Sequence, residues 1–252
     1  MVAGPAGRAS APVLRSDPPV VLRPAGDAMH LAQAAAGPLG GDDLELDVEV
    51  PAGRFLRLRA VAATLVLPSP CGRPARITLR ARVADDAALE VFLEPVVVAD
   101  GAGVELLTRV ELGARSRLLW REEVVLGRYG ERGGRATTRI DVVRGGHPLL
   151  RTGSDLCGGH PVTHGPSVLA SHRAVGSLLA VGHGDASQPV RPERSSAELA
   201  LPGDGTLLTV AADGALAMRR RLDAHLAVVR ERARAQPQPA GRRGTMAWIP
   251  SQ

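Results

Sequence analysis

Alternation with a period of two runs through the middle of this chain and limits what it can become. In the segment 44–50, Leu44, Leu46, Val48 and Val50 alternate with Glu45, Asp47 and Glu49. In 76–83, Ile77, Leu79, Ala81 and Val83 alternate with Arg76, Thr78, Arg80 and Arg82. Leu56 and Leu58 alternate with Arg57 and Arg59; Val104, Leu106, Val110 and Leu112 share one parity, as do Ile140 and Val142. Successive side chains of a strand point to opposite faces, so each segment has one face for a core and one for water. Charges on the wet face point to half-exposed antiparallel strands rather than the strands of a parallel α/β sheet, buried on both faces. Gly, Pro and Asp punctuate them at Pro51–Gly53, Asp85-Asp86, Asp100-Gly101, Gly113–Arg115, Gly130–Gly134 and Gly145-Gly146, the spacing of a large β architecture. A turn-plus-strand unit recurs, at intervals too uneven for a solenoid repeat of fixed period.

One segment changes period. From Asp213 to Ala233, apolar residues fall at Leu216, Met218, Leu222, Leu226, Val229 and Ala233, mostly three or four apart, which predicts an α-helix packed on the sheet. Asp213 is placed to cap its N-terminus, and Arg230, Arg232 and Arg234 suit the negative end of its dipole.

Of the 252 residues, 31 are basic and 26 acidic, a formal charge of +5, and every one of the 31 is arginine. Arginine is interleaved with Asp and Glu, and aromatic residues are only 2%, which argues against nucleic-acid binding by stacking. The longest apolar runs, such as Val96-Val97-Val98, fall far short of the roughly 20 residues of a membrane helix. The first residues lack the charged start and apolar block of a secretory signal. Two cysteines, Cys71 and Cys157, make no disulfide framework, and a reduced, cytoplasmic setting is expected. Residues 1–17, rich in Ala, Gly and Pro, read as a flexible N-terminus, 18–234 as a single β-rich domain, and 235–252 as a C-terminal tail.

Chemistry is sparse. Cys157, His160, His164 and His172 lie within sixteen residues and carry the ligand types of zinc and nickel, but the spacing matches no standard finger, and Pro161 with its flanking glycines favours a loop. Ser167 lacks the second glycine of a nucleophile elbow, and a chain without lysine has no Walker-type phosphate loop. Carboxylates are paired at Asp42-Asp43, Asp85-Asp86 and Glu122-Glu123, yet neighbours on a strand face opposite ways, so one of each pair at most can serve a given site. No catalytic centre is evident, which favours binding or scaffolding. A metal-dependent enzyme built on Cys157, His160, His164 and His172, and a β-rich ligand-binding module, are the alternatives.

Two blocks carry a family pattern. The first has Gly40-Gly41-Asp42, the strand 44–50, and Ala62-Ala63-Thr64; the second has Trp120, Glu122, Leu126-Gly127-Arg128 and Gly130-Glu131. Asp100-Gly101-Ala102 between them, and Val175–Gly182 after them, stand in the same order. The chain resembles a divergent member of the UreD (UreH) family of urease accessory proteins. It departs from the family pattern at Arg59-Ala60-Val61, at Leu65 and at Leu93-Glu94-Pro95.

The resemblance implies a mainly β fold of helicoidally stacked sheets, which with the alternation gives stacked antiparallel, helicoidal β-sheets, and two α-helices, one near the C-terminus. It implies no catalysis and no tightly bound cofactor. It implies a chaperone that binds urease apoprotein, recruits UreF and the GTPase UreG, and passes transient Ni2+ through a tunnel. Asp42, Asp47, Glu122, Arg128 and Glu131 lie in the matching motifs and become candidates for tunnel or interface, with Gly40, Gly41 and Gly127 as turn formers. Asp42 also reads as a turn-closing residue, and Glu131 as the partner of Arg128.

Overall fold

A computed structural model describes residues 19–184 and 195–235. Among them are fifteen strands and one α-helix: β1 (Val20–Ala25), β2 (Ala28–Gln33), β3 (Asp43–Val50), β4 (Phe55–Ala60), β5 (Thr64–Val66), β6 (Ala75–Val83), β7 (Ala88–Phe92), β8 (Val96–Val98), β9 (Gly103–Leu112), β10 (Arg117–Leu126), β11 (Arg135–Arg144), β12 (His147–Cys157), β13 (Ala174–Val181), β14 (Ser196–Leu201), β15 (Gly205–Ala212) and α1 (Ala215–Ala235). The expected flexible N-terminus, and all but the first residue of the expected tail, lie outside the described residues.

The chain winds between two facing sheets. The first is five-stranded, in the order β12-β11-β9-β6-β3; the second is ten-stranded, with β2, β4, β7, β10, β13, β15 and β14 side by side, β1 outside β2, and β5 and β8 joined beside β10. Each circuit lays a strand in the first sheet and then one in the second. As a result β3, β6, β9 and β11 pair in parallel, and so do β2, β4, β7 and β10. The expected antiparallel pairing is therefore corrected for these strands. It holds for β1 with β2, β11 with β12, and the series β10-β13-β15-β14.

Two physical facts explain the difference. The inner face of each parallel sheet is covered by the other sheet, so the outer face of the first sheet stays wet, while α1 covers part of the outer face of the second. The charges on that wet face are matched across strands: Arg80 on β6 reaches Glu45 at 2.8 Å and Asp47 at 3.4 Å on β3, while Arg76 and Arg82 meet Glu105 and Glu111 on β9. Such cross-strand pairs stabilise parallel neighbours as well as antiparallel ones. The circuits are unequal in length. Asp43 stacks on Arg76, Ala75 on Val104 and Gly103 on Arg135, steps of 33, 29 and 32 residues, which conceals the winding from a search for a fixed period.

The turns are locked by their neighbours. The N–H groups of Ala84, Gly113 and Gly145 donate to the carbonyls of Val50, Val83 and Leu112 one circuit back, at 2.8–2.9 Å. A Cβ on Gly113 would lie 2.5 Å from Asp85 Oδ1, so this turn requires glycine.

The expected C-terminal helix is present, and it is the one helix among the described residues; the second helix implied by the resemblance is not found there. Met218, Leu222, Leu226 and Val229 are buried against Leu178, Ala180, Leu208 and Val210 of β13 and β15. Leu216 falls off this stripe and is 66% exposed. Asp213 does not cap the helix. The first helical bond runs from Met218 N–H to the Gly214 carbonyl, making Gly214 the capping position, while the Asp213 carboxylate takes His172 at 2.6 Å. None of the described helices is long and apolar enough to cross a membrane.

Candidate functional site

Inward-facing side chains fill most of the space between the sheets, but not all of it. Toward the edge formed by β3, β2 and β1, a cavity of about 430 Å³ remains. Its walls are Leu44 and Leu46 of β3, Ile77 and Leu79 of β6, Leu106 of β9, and Trp120 and Glu122 of β10. One rim carries Ala60, Val61, Ala62 and Thr64 from the corner after β4, stacked on Leu93, Glu94 and Val96 after β7. Thr64 N–H donates to the Pro95 carbonyl at 2.9 Å and joins the two corners. The positions where the sequence departs from the family pattern thus include several on this rim.

Glu122 is the residue that gives the cavity chemistry. It shares its parity on β10 with Leu118, Trp120 and Val124, so the strand aims a carboxyl into a largely apolar space. The hydroxyl of Thr108, itself buried on β9, donates to Glu122 Oε2 at 3.3 Å. Burial pushes the Glu122 carboxyl up to about 7, against a small opposing effect of that hydrogen bond. Thr108 was detectable in the sequence as a lone hydroxyl in the apolar parity of Leu106 and Val110.

Glu123, the other half of the pair, points the opposite way, as adjacent strand residues must. Its side chain is wholly buried beneath α1, where Arg121 Nε and Arg219 Nη2 meet it at 2.8 and 2.9 Å. Arg219 also reaches Glu94 at 2.7 Å, and Arg121 reaches Asp223 at 2.8 Å. This network ties the helix to the back of the cavity wall. Sequence reading missed it, because it links residues about a hundred positions apart.

The remaining candidates are dispersed. Asp42 closes its turn: its Oδ2 accepts the Leu39 N–H at 2.8 Å, and its own N–H donates to the Leu39 carbonyl. Asp47 lies on the outer face of β3 against Arg80. Arg128 Nε donates to Glu131 Oε1 at 2.7 Å, and Glu131 Oε2 accepts the backbone N–H groups of Arg128 and Asp100. These bonds, Arg128 foremost, hold the Glu131 carboxyl down at about 2.

Gly40, Gly41 and Gly127 are turn positions. A Cβ would come within 2.5 Å of the Arg73 carbonyl at Gly40 and 2.8 Å of Gly133 at Gly127, while Gly41 has φ +95°. Cys157, His160, His164 and His172 do not converge, and the described residues contain no group of three His, Cys, Asp or Glu able to hold a metal. His160 Nδ1 accepts the Val162 N–H, His164 Nε2 accepts the Gly159 N–H, and His172 turns away to Asp213. The segment is a loop of turns, as Pro161 and the glycines require.

Comparison with known proteins gives this architecture a family. The family model described as UreD urease accessory protein matches residues 11–243. The chain belongs to the UreD family. Urease accessory protein UreD of Frankia alni is 40% identical, the match covering 88% of each chain. The UreD of a Parafrankia species is 41% identical over 93% of this chain and 88% of that protein. The UreD of Streptomyces coelicolor is 40% identical over 86% and 89%. UreD membership supports a role in urease maturation. Of the UreD motifs noted in the sequence, Ala62, Thr64, Trp120 and Glu122 line the cavity, whereas Gly40–Asp42 and Gly127–Glu131 build turns at the ends of strands.

Proposed function

We propose that this chain is a non-catalytic scaffold of urease maturation, acting in the cytoplasm. In this reading it binds urease apoprotein, recruits UreF and the GTPase UreG, and passes Ni2+ through the cavity between its sheets. The observation that carries the reading is Glu122, a carboxyl held by the Thr108 hydroxyl in a largely apolar cavity whose lining also includes Glu45 and Glu94. A divalent ion in transit needs a ligand that relieves its desolvation without trapping it. A few carboxylate oxygens do that, where a set of thiolates and imidazoles would hold the ion. Trp120 and the surrounding leucines form much of the wall, and neither Cys nor His is among its lining residues.

The test is co-expression with urease and its accessory proteins. Glu122→Leu is expected to fold and to co-purify with UreF and UreG, while urease nickel content and activity drop at least severalfold. Full nickel loading by Glu122→Leu would overturn conduction through this cavity. Absence of any complex between the wild-type chain and UreF or UreG would overturn the scaffold role.

A further inference from the structure

We propose that the outer face of β1, β2 and β4 is a docking surface for an acidic α-helix of a protein partner, laid across the strands over Arg23, His30 and Arg59. The inference stands apart from the nickel reading, because this face turns away from the cavity. Met29, Leu58 and Leu22 point inward to the core between the sheets, which sends His30, Arg59 and Arg23 to the other side. The strand register then sets these three side by side: Arg23 is opposite His30, His30 opposite Arg59, Arg59 opposite Phe92, and Phe92 opposite Arg121. Arg23 and Arg59 thus flank His30 on one face, and like charges gathered on one face of a sheet cost stability unless something neutralises them.

At the far end of the row the neutralisation is internal. Arg121 is buried and held by Glu123 and Asp223, and α1 reaches in to pair Arg230 with Glu90. At the near end it is absent. Arg23 donates to the Leu22 carbonyl and Arg59 stacks over the Phe92 ring, and among the described residues neither they nor His30 have a carboxylate partner. His30 Nδ1 is buried without a hydrogen bond. Apolar surface lies alongside, in Phe55, half exposed beneath Arg57. An amphipathic segment with acidic residues complements both features.

Spacing favours a helix. Neighbouring strands are about 4.8 Å apart, so Arg23 to Arg59 spans about 10 Å. Along an α-helix, positions i and i+7 are about 10.5 Å apart on one face, with i+3 or i+4 between them. Nucleic acid fits less well, because Phe92, the one phenyl ring in the row, is 3% exposed and serves guanidinium groups rather than bases.

The test is fluorescence anisotropy of the full chain with a labelled helical peptide bearing Glu at i, i+4, i+7 and i+11, and with the same peptide carrying Gln. Binding of the Glu peptide is expected, weakened about tenfold by each of Arg23→Glu and Arg59→Glu, and weakening further with salt. Arg23→Glu matters most, since Arg23 is exposed and its reversal leaves the packing intact. Arg109→Glu, on the outer face of the other sheet, is the control and should change affinity less than about twofold. Equal losses in all three variants, or equal binding of both peptides, would reduce the effect to general positive charge and overturn the proposal. Tighter capture of a single-stranded oligonucleotide, lost in Arg23→Glu, would reassign the row to phosphate.

Discussion

Thr108 on β9 donates its hydroxyl to the Glu122 carboxyl on β10, 3.3 Å away across the gap between the two sheets. The pair sets a pH dependence whose sign follows from burial. Glu122 titrates near 7 in the folded chain and near 4.5 in the unfolded one, so the folded state binds the extra proton. Stability from this group is intact below about pH 4.5, declines as pH rises toward 7, and is fully lost above it. The loss amounts to at most about 3 kcal/mol, less where solvent enters the cavity. Glu122→Gln should remove this decline, so its stability advantage over the parent chain grows between about pH 5 and 8. Urea unfolding of both proteins across that range checks it; parallel pH profiles would show that Glu122 does not titrate there.

Gly176 on β13 lies directly beneath α1. A Cβ there would lie 2.7 Å from Leu222 Cδ1 and 2.8 Å from Met218 Sδ. Both neighbours are fully buried and have nowhere to retreat. Gly176→Val should therefore destabilise the chain by about 1–3 kcal/mol through overpacking, and Gly176→Ala by less. Met218→Ala in the Gly176→Val background should recover part of the loss, a coupling that thermal unfolding of the four proteins would read.

Cys71 should outreact Cys157. Hydrogen bonding from the Ser69 hydroxyl, 3.3 Å from its sulfur, and the nearby Arg73 hold the exposed Cys71 thiol below its ordinary value. Cys157 lies half-buried at the end of β12. Thiolate is the nucleophile, so alkylation by iodoacetamide at neutral pH should label Cys71 first, and Ser69→Ala should slow it. Peptide mapping by mass spectrometry over a time course decides this; equal labelling of both cysteines would refute it.

The strands were legible because their two faces differ so sharply: Leu44 to Val50 and Ile77 to Val83 form strands with the inward parity that the alternation predicts. Their pairing was not. Whether Leu46 faces a parallel or an antiparallel neighbour depends on a residue some thirty positions away, and the unequal circuits erase the periodic trace. Glu122 was legible as a candidate, since the Trp120–Glu122 block marks it, but nothing local separates it from Asp42, Asp47 or Glu131. The separation comes from what stands opposite. Asp42 meets its own turn, Asp47 meets Arg80, Glu131 meets Arg128, and Glu122 meets Thr108. The histidines near Cys157 were grouped by sequence distance alone, and turns at Pro161 and Gly165 scatter them.

Glu123 depends on two guanidinium groups, and removing one should be felt across the helix interface. Its side chain is 0% exposed, with Arg121 supplied by its own strand and Arg219 by α1. Breaking a buried pair leaves charge without compensation and costs about 3–5 kcal/mol where no second partner exists. Arg219→Met leaves Arg121 in place, so a smaller loss of about 1–3 kcal/mol is expected, concentrated in the docking of α1. Hydrogen exchange should then show α1 amides losing protection, while those of β6 and β9 in the first sheet keep theirs. Glu123→Gln should lessen the effect of Arg219→Met, because a neutral amide no longer demands two cations. A double-mutant cycle in which the two losses simply add would show that Arg219 and Glu123 do not act as a pair.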